Sequence, residues 1–187
     1  HDPLTGLANR AALTERLASS FKPGAGRRHR HEGLLIIDVD GFKDVNDSLG
    51  HEGGDALLIQ LAGRLQECVR AHDLAARLGG DEFAIVVGND PDGSVTGAIA
   101  ERIHNVLRVP FSVGDIRLQV SVSMGAAQRR PETADPAELL RQADFAMYMA
   151  KQSGKGRYQR FDAEGYGRMA RRTALRADLA AAVPQRQ

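Results

Sequence analysis

The stretch "RLGGDEF", residues 77–83, constrains the fold more than any other part of the sequence. Two strand-like runs, "LAAR" and "EFAIVVG", lie on either side of Gly79 and Gly80, and glycines between two such runs are typical of a β-hairpin. The second run is apolar, so we expect it to be buried. The turn therefore places Asp81 and Glu82 at the tip of a buried hairpin, and two adjacent carboxylates in that place need a chemical reason.

Helix-like and strand-like segments alternate along the rest of the chain. Helical periodicity predicts helices at 4–21, 52–72, 94–107 and 135–154, the last beginning at Asp135 with Pro136 at its first position. Strand patterns predict a central strand within 33–42, a second hairpin within 111–128 around Gly114 and Asp115, and an edge strand within 157–162. This order predicts an α+β fold, in which helices flank a mixed, mostly antiparallel central sheet.

Length and charge limit the function further. The chain has 187 residues and a formal charge of +1, which fits one domain with an appendage and argues against a nucleic-acid partner. The longest apolar run, 34–37, is far too short to span a membrane, so we expect a soluble, cytoplasmic chain. Cys68 lies in an apolar row at helical spacing, which favours a buried core position over a reactive thiol. The chain begins at His1, and we expect it to be a piece of a longer protein.

Four acids, Asp38, Asp40, Asp81 and Glu82, lie where the central strand and the hairpin turn can meet. Carboxylates clustered near a core repel one another unless a cation or hydrogen-bond donors neutralise them. Oxygen ligands favour Mg²⁺, and two such ions can polarise a phosphoryl group and activate a hydroxyl. The spacing alone is equally compatible with four separately solvated acids at strand ends.

The segment "DGFKDVNDSLGHEGGDALL" adds polar groups suited to a nucleotide. Lys43 follows the strand end, where an ammonium can meet a phosphate. Asn46 offers an amide donor and acceptor, and the Asp55 carboxylate can accept from the adjacent N1–H and N2–H donors of guanine, a pair that adenine lacks. Both residue types are also common helix caps, and capping is the alternative for these two positions.

Five ordered motifs within residues 1–162 resemble the GGDEF domains, the diguanylate cyclases: "DPLTGLANR", "DVDGFKDVNDSLGHEGGD", "RLGGDEF", "VSVSMGAA" and "ADFAMYMAKQSGKGR". The resemblance implies a palm-like nucleotidyl-cyclase fold. It also implies condensation of two GTP into cyclic di-GMP with release of pyrophosphate, by two antiparallel protomers with Mg²⁺ or Mn²⁺. The helical stretch 163–187 is similar to the linker before an EAL phosphodiesterase domain in such proteins, which can be membrane-bound; its arginines favour a solvated linker over an anion-binding face.

The resemblance also implies roles for individual residues. Asp38, Asp81, Glu82 and the Val39 carbonyl look like metal ligands, and Glu82 also resembles the acid beside the attacking 3′-hydroxyl. Asn46 and Asp55 match the guanine readers. Phosphate contacts are implied for Phe42, Lys43, Gly79, Gly80, Lys151 and Lys155, with Lys43 counted among the catalytic groups.

A second, inhibitory site for the product is implied by "RAHD", in which Arg70 and Asp73 match the family's RxxD motif, with Arg102 as a further contact. An arginine at a helix end also complements the helix dipole, which is the simpler interpretation. Gly156 stands where the family often has Asn, so one ligand contact is expected to be weaker. The alternative function is a catalytically silent GTP-binding module that regulates an attached EAL domain.

Overall fold

The apolar run that follows residue 32 forms the central strand of a five-stranded sheet in a computed structural model, which describes residues 1–22 and 31–168. Its helices are α1 (Arg10–Phe21), α2 (Phe42–Glu67), α3 (Ser94–Val106) and α4 (Pro136–Gln152). Its strands are β1 (Gly33–Val39), β2 (Leu74–Gly79), β3 (Glu82–Val87), β4 (Phe111–Val113), β5 (Ile116–Leu118), β6 (Val122–Gln128) and β7 (Tyr158–Arg160).

The central sheet has the strand order β2-β3-β1-β6-β7. The pairs β2/β3, β3/β1 and β1/β6 are antiparallel, and only the edge strand β7 pairs in parallel, with β6. The predicted α+β fold with a mixed, mostly antiparallel sheet is therefore confirmed. The strands β4 and β5 form a separate two-stranded hairpin.

Both faces of β1 are buried, because helices cover the sheet on each side. Leu35 and Ile37 face the core formed with α2 and α3, whereas Leu34 and Ile36 face the core formed with α1 and α4. This alternation follows from the two-residue period of a strand. Cys68 is buried in the first core, as its apolar row predicts. A strand buried on both faces holds its last residues in a fixed place.

The structure corrects three predicted elements. The helix predicted over 4–21 begins only at Arg10, where the Asn9 side chain caps it, and residues 4–9 are not helical. The helix predicted over 52–72 begins at Phe42 and ends at Glu67; the glycine-rich segment breaks it only at Gly50, whose φ is +72° and ψ is +172°. The second hairpin predicted within 111–128 is shorter, because only β4 and β5 pair around Gly114 and Asp115. Residues 122–128 leave that hairpin and join the central sheet as β6. The edge strand and the helix start at Asp135 are as predicted.

The chain end is described only in part. Residues 163–168 are helical, as the predicted helical segment requires, while residues 169–187 lie outside the described residues. Among the residues that the structure describes, no helix is both long and apolar enough to cross a membrane.

Candidate active site

The end of β1 and the hairpin turn meet, as the acid pattern predicts. The antiparallel register sets Asp38 of β1 directly opposite Glu82 of β3. The Val39 backbone N–H donates to the Asp81 carbonyl at 3.3 Å. Since the N–H and C=O of a strand residue point to the same neighbour, the Val39 carbonyl faces this turn as well. Two side-chain carboxylates and two backbone carbonyls are thus gathered at one edge of the sheet.

The two glycines of the turn leave open space at this edge. Gly79 has φ +136° and Gly80 has φ +54°, and a Cβ added to either would find no atom within 4 Å. Such φ values favour glycine. The Arg77 guanidinium donates to the Gly80 carbonyl at 2.7 and 3.0 Å and forms an ion pair with Asp2 at 3.2 Å. These contacts fix the backbone of the turn and leave the space beside the glycine Cα atoms open.

Asp38 carries a partly neutralised charge in a buried position. Its residue is only 8% exposed, and the Lys151 ammonium, in the last turn of α4, lies 2.7 Å from its Oδ1. Burial raises the pKa of Asp38 above its ordinary value, the Lys151 contact opposes that shift, and the like charges of Asp81 and Asp40 add to it. A further cation at this edge would relieve the same repulsion.

Glu82 also has a raised pKa, first through burial and then through the negative charges of Asp144 and Asp38. The Arg10 guanidinium opposes the shift from 3.7 Å. Arg10 and Asp144 were missed as site residues by sequence reasoning, although they lie in the quoted stretches "DPLTGLANR" and "ADFAMYMAK". An acid with a raised pKa beside an open turn is suited to exchanging a proton with a ligand.

Asp40 lies close enough to raise the pKa of Asp38, but its own carboxylate is held by other partners. Both of its oxygens accept hydrogen bonds, from the hydroxyls of Ser121 and Ser123 and from the Gly156 N–H. The grouping of four acids made from the sequence is therefore corrected to three, Asp38, Asp81 and Glu82.

The oxygen donors at this edge can hold Mg²⁺ together with a phosphate ligand, but not by themselves. Within residues 1–22 and 31–168, no three His, Cys, Asp or Glu side chains are arranged to hold a metal by themselves. Mg²⁺ is commonly bound by one or two carboxylates, with water and substrate phosphates completing its shell. Asp38, Asp81 and the Val39 carbonyl are hard oxygen donors of that kind, so these residues fit the ion together with a phosphate ligand.

The first part of α2 places Asn46 and Phe42 against Gly54, the residue before Asp55. A Cβ added to Gly54 would lie 2.0 Å from the Asn46 Oδ1 and 3.1 Å from the Phe42 ring, so both side chains pack on the backbone next to Asp55. Gly41 takes the N-cap position of α2, and neither Asn46 nor Asp55 caps a helix in the described part of the chain. Helix capping therefore does not explain these two residues.

Two predicted phosphate contacts are exposed lysines. Lys43 lies in the first turn of α2, and Lys155 lies in the loop after α4 with φ +58°. Neither ammonium makes an ion pair with any residue that the structure describes. Lys151, in contrast, pairs with Asp38.

The residues predicted for the inhibitory site lie where α2 ends. Arg102 of α3 donates to the Cys68 carbonyl, which brings it beside exposed Arg70. The side chain of Asp73 is fully buried and accepts from the N–H groups of Arg70 and Gly88, both at 3.1 Å. Asp73 thus stabilises the turn that leads into β2. Arg70 is exposed to solvent, and the Arg102 guanidinium contacts the Cys68 carbonyl.

Solved structures define the class of this domain. The chain is similar to the GGDEF domain of TpbB (YfiN) from Pseudomonas aeruginosa, with TM-score 0.78 and 38% identity over 84% of this chain and 98% of that one. It is also similar to the GGDEF domain of DgcB from Caulobacter crescentus, solved in complex with c-di-GMP, with TM-score 0.76 and 28% identity over 85% and 94% of the two chains. The fold is the cyclase fold of these domains.

Residues 1–157 match the family described as "Diguanylate cyclase, GGDEF domain", and the chain belongs to that family. Diguanylate cyclase TpbB of P. aeruginosa is 41% identical over 159 residues, which are 83% of this chain and 36% of TpbB. The bifunctional diguanylate cyclase/cyclic di-GMP phosphodiesterase MucR of the same organism is 37% identical over 188 residues, all of this chain and 27% of MucR. The chain therefore spans about a third or less of these relatives.

Proposed function

We propose that this domain is an active diguanylate cyclase, which joins two GTP molecules into cyclic di-GMP and releases two pyrophosphates. The observation that carries the proposal is the edge of the sheet where Asp38 lies opposite Glu82. There the Val39 N–H donates a hydrogen bond to the Asp81 carbonyl, and the two turn glycines leave open space. Attack of a 3′-hydroxyl on an α-phosphate needs charge neutralisation, alignment and a proton acceptor more than covalent help.

Asp38, Asp81 and the Val39 carbonyl would hold Mg²⁺, or Mn²⁺, together with the triphosphate. The bound ion would supply charge stabilisation to the phosphoryl group and activation of the hydroxyl. Glu82, whose pKa is raised by burial and by Asp144, would accept the proton that leaves the 3′-hydroxyl, and it can also complete the metal shell.

The nucleotide would lie between α2 and the hairpin turn. Asn46 and Asp55 would bind the guanine edge, and a carboxylate at position 55 accepts two donors that adenine does not present together. The phosphates would contact the backbone of the turn, the Phe42 region and three lysines, namely Lys43, Lys151 and Lys155. Lys151 already contacts Asp38, so it would also limit the negative charge at this edge before GTP arrives.

The described residues form one such edge, whereas the cyclic product contains two 3′–5′ linkages. Two protomers would therefore meet antiparallel, each presenting one GTP to the other. We further expect cyclic di-GMP to inhibit by binding at Arg70 and Arg102. The match of the whole chain to part of the bifunctional MucR supports an attached EAL domain and a place in a longer signalling protein.

The same match favours one second candidate, a silent module that binds GTP and regulates an attached phosphodiesterase. Both candidates predict GTP binding, so the test must follow product. The chain, held as a dimer by a fused parallel coiled coil, is incubated with GTP and Mg²⁺ while cyclic di-GMP and pyrophosphate are quantified. An active cyclase forms cyclic di-GMP and pyrophosphate in a 1:2 ratio. The variant Glu82→Gln keeps the size and shape of the side chain, and it should abolish turnover while GTP binding is retained. An enforced dimer that binds GTP and forms no product would establish the silent module instead.

A further inference from the structure

Asp40 links three separate parts of the structure. Its Oδ1 accepts from the Ser123 hydroxyl at 2.7 Å, and its Oδ2 accepts from the Ser121 hydroxyl at 2.8 Å and from the Gly156 N–H at 2.9 Å. Its own N–H donates to the Ser121 carbonyl at 3.0 Å. The carboxylate therefore joins the end of β1 to the start of β6 and to the loop that follows α4.

That loop, residues 153–157, has a backbone that needs support. Its three consecutive residues Gly154, Lys155 and Gly156 all have positive φ, at +116°, +58° and +58°. A positive φ is costly for lysine, and such a residue persists only where its surroundings fix it. The Lys155 N–H donates to the Ala150 carbonyl at 3.2 Å, which anchors one side of the loop to α4.

The other side of the loop is anchored by Asp40. Gly156 lies against Ser121, since a Cβ added to it would be 3.5 Å from that side chain. Its φ of +58° is in the left-handed region, which glycine and asparagine adopt more readily than other residues. Glycine at this position thus meets the backbone requirement, and the Gly156 N–H is directed at the Asp40 carboxylate.

We propose that Asp40 is a positioning residue that fixes the loop carrying Lys155, and the adjoining end of α4 carrying Lys151, relative to the metal-binding end of β1. The inference rests on the proposed function, because it assigns these lysines to the triphosphate. In this role Asp40 would act through the loop and not by binding metal or nucleotide itself. The Gly156 N–H is a donor and needs an acceptor oxygen. Residue 40 supplies that oxygen to the loop.

The positioning role needs an acceptor oxygen at residue 40, which asparagine also provides. Asparagine substitution therefore distinguishes positioning from metal binding. Asparagine at position 40 keeps one oxygen for Gly156, and its amide N–H can donate to a serine hydroxyl, which also accepts. Asp40→Asn should therefore retain GTP affinity within about threefold of the wild type, whereas Asp40→Ala should lose about tenfold, the scale of one hydrogen bond to a charged group. Asp38→Asn, at a proposed metal ligand, serves as the comparison in which asparagine does not rescue.

The experiment measures GTP affinity with Mg²⁺ by calorimetry for the full chain and these variants, and guanosine affinity by NMR titration. Asp40→Ala should lose affinity for GTP and keep its affinity for guanosine, which lacks phosphates. Asp47→Asn, an exposed acid nearby in α2, controls for the loss of one negative charge and should leave both affinities unchanged. If Asp40→Asn loses as much as Asp40→Ala, or if guanosine and GTP weaken together, the positioning role is wrong.

A double-mutant cycle and hydrogen exchange complete the test. If Asp40 acts through Lys155, then Asp40→Ala combined with Lys155→Ala should weaken GTP binding no more than about tenfold, because the two losses are not independent. The Gly156 amide should exchange faster in Asp40→Ala than in the wild type. Unchanged exchange would overturn the inference even if the wild type failed to bind GTP, whereas that failure alone would overturn the proposed function.

Discussion

The contact between β6 and α4 leaves no room for a side chain at Gly125. A Cβ added there would lie 2.0 Å from the Met147 N, 2.4 Å from the Ala143 carbonyl oxygen and 2.5 Å from the Met147 Cα. These are backbone atoms of α4, so no rotamer change can relieve the overlap. Gly125→Ala must therefore move the helix away from the sheet.

The size of the effect follows from that displacement. Overpacked core substitutions typically cost about 1–3 kcal/mol, and a clash with backbone belongs at or above the upper end, so we expect a loss of about 3 kcal/mol. For a domain of this size that corresponds to a decrease in Tm of roughly 6–12 °C. Since α4 also carries Lys151, the same shift should lengthen the Lys151–Asp38 contact and weaken GTP binding.

Urea denaturation and thermal unfolding measure this cost directly, with Gly63→Ala as the matched control. Gly63 lies on an exposed face of α2, and a Cβ there would meet no atom within 4 Å, so alanine should stabilise the helix by about 0.5–1 kcal/mol. A Gly125→Ala variant that unfolds with the same midpoint as the wild type would refute the close packing of β6 against α4. Equal losses in both variants would refute it too.

Three further predictions concern charged groups. Burial raises the pKa of Asp38 in the folded state, so ionisation of this carboxyl group lowers the free energy of unfolding. The loss is absent below the ordinary pKa of 3.8 and complete above the raised pKa. Asp38→Asn without metal should thus unfold at higher urea than the wild type at pH 7, with the difference shrinking toward pH 4; a less stable variant at pH 7 would contradict this sign. Arg77→Gln should cost about 1–3 kcal/mol by releasing the Gly80 carbonyl and Asp2, and in urea denaturation its cost should not add to that of Asp2→Asn, whereas full additivity would show the pair to be uncoupled. Asp73→Ala should lose about 1–3 kcal/mol, as two N–H groups lose their acceptor, while Arg70→Ala should change stability by less than about 0.5 kcal/mol and abolish inhibition by cyclic di-GMP; retained inhibition in a turnover assay would remove Arg70 from that site.

Local sequence signals predicted the elements that carry strong periodicity or clear punctuation. The strand ending at Asp38, the hairpin around Gly79 and Gly80, and the start of α4 at Asp135 are each specified by residues within a few positions. The start of α2 at Phe42 was not predicted, because the helix signal was recognised only from residue 52; within it Gly54 leaves room for the Asn46 side chain.

The parts that could not be predicted depend on contacts between distant segments. Nothing local to Asp40 shows that its carboxylate is taken up by Ser121, Ser123 and Gly156. In the same way, Arg10 reaches Glu82 only because α1 lies beside the hairpin. The sequence could place acids at a strand end and a turn, but which of them face one another is decided by register and helix packing.

The most direct test of the central claim, that Asp38 and Asp81 grip a metal around GTP, is calorimetry of GTP with the full chain in the presence of Mg²⁺ and in the presence of EDTA. We predict that GTP binds with Mg²⁺, and that affinity drops by at least about tenfold in EDTA or on Asp38→Asn, the loss of roughly one charge-assisted contact. Equal GTP affinity under all three conditions would contradict the claim.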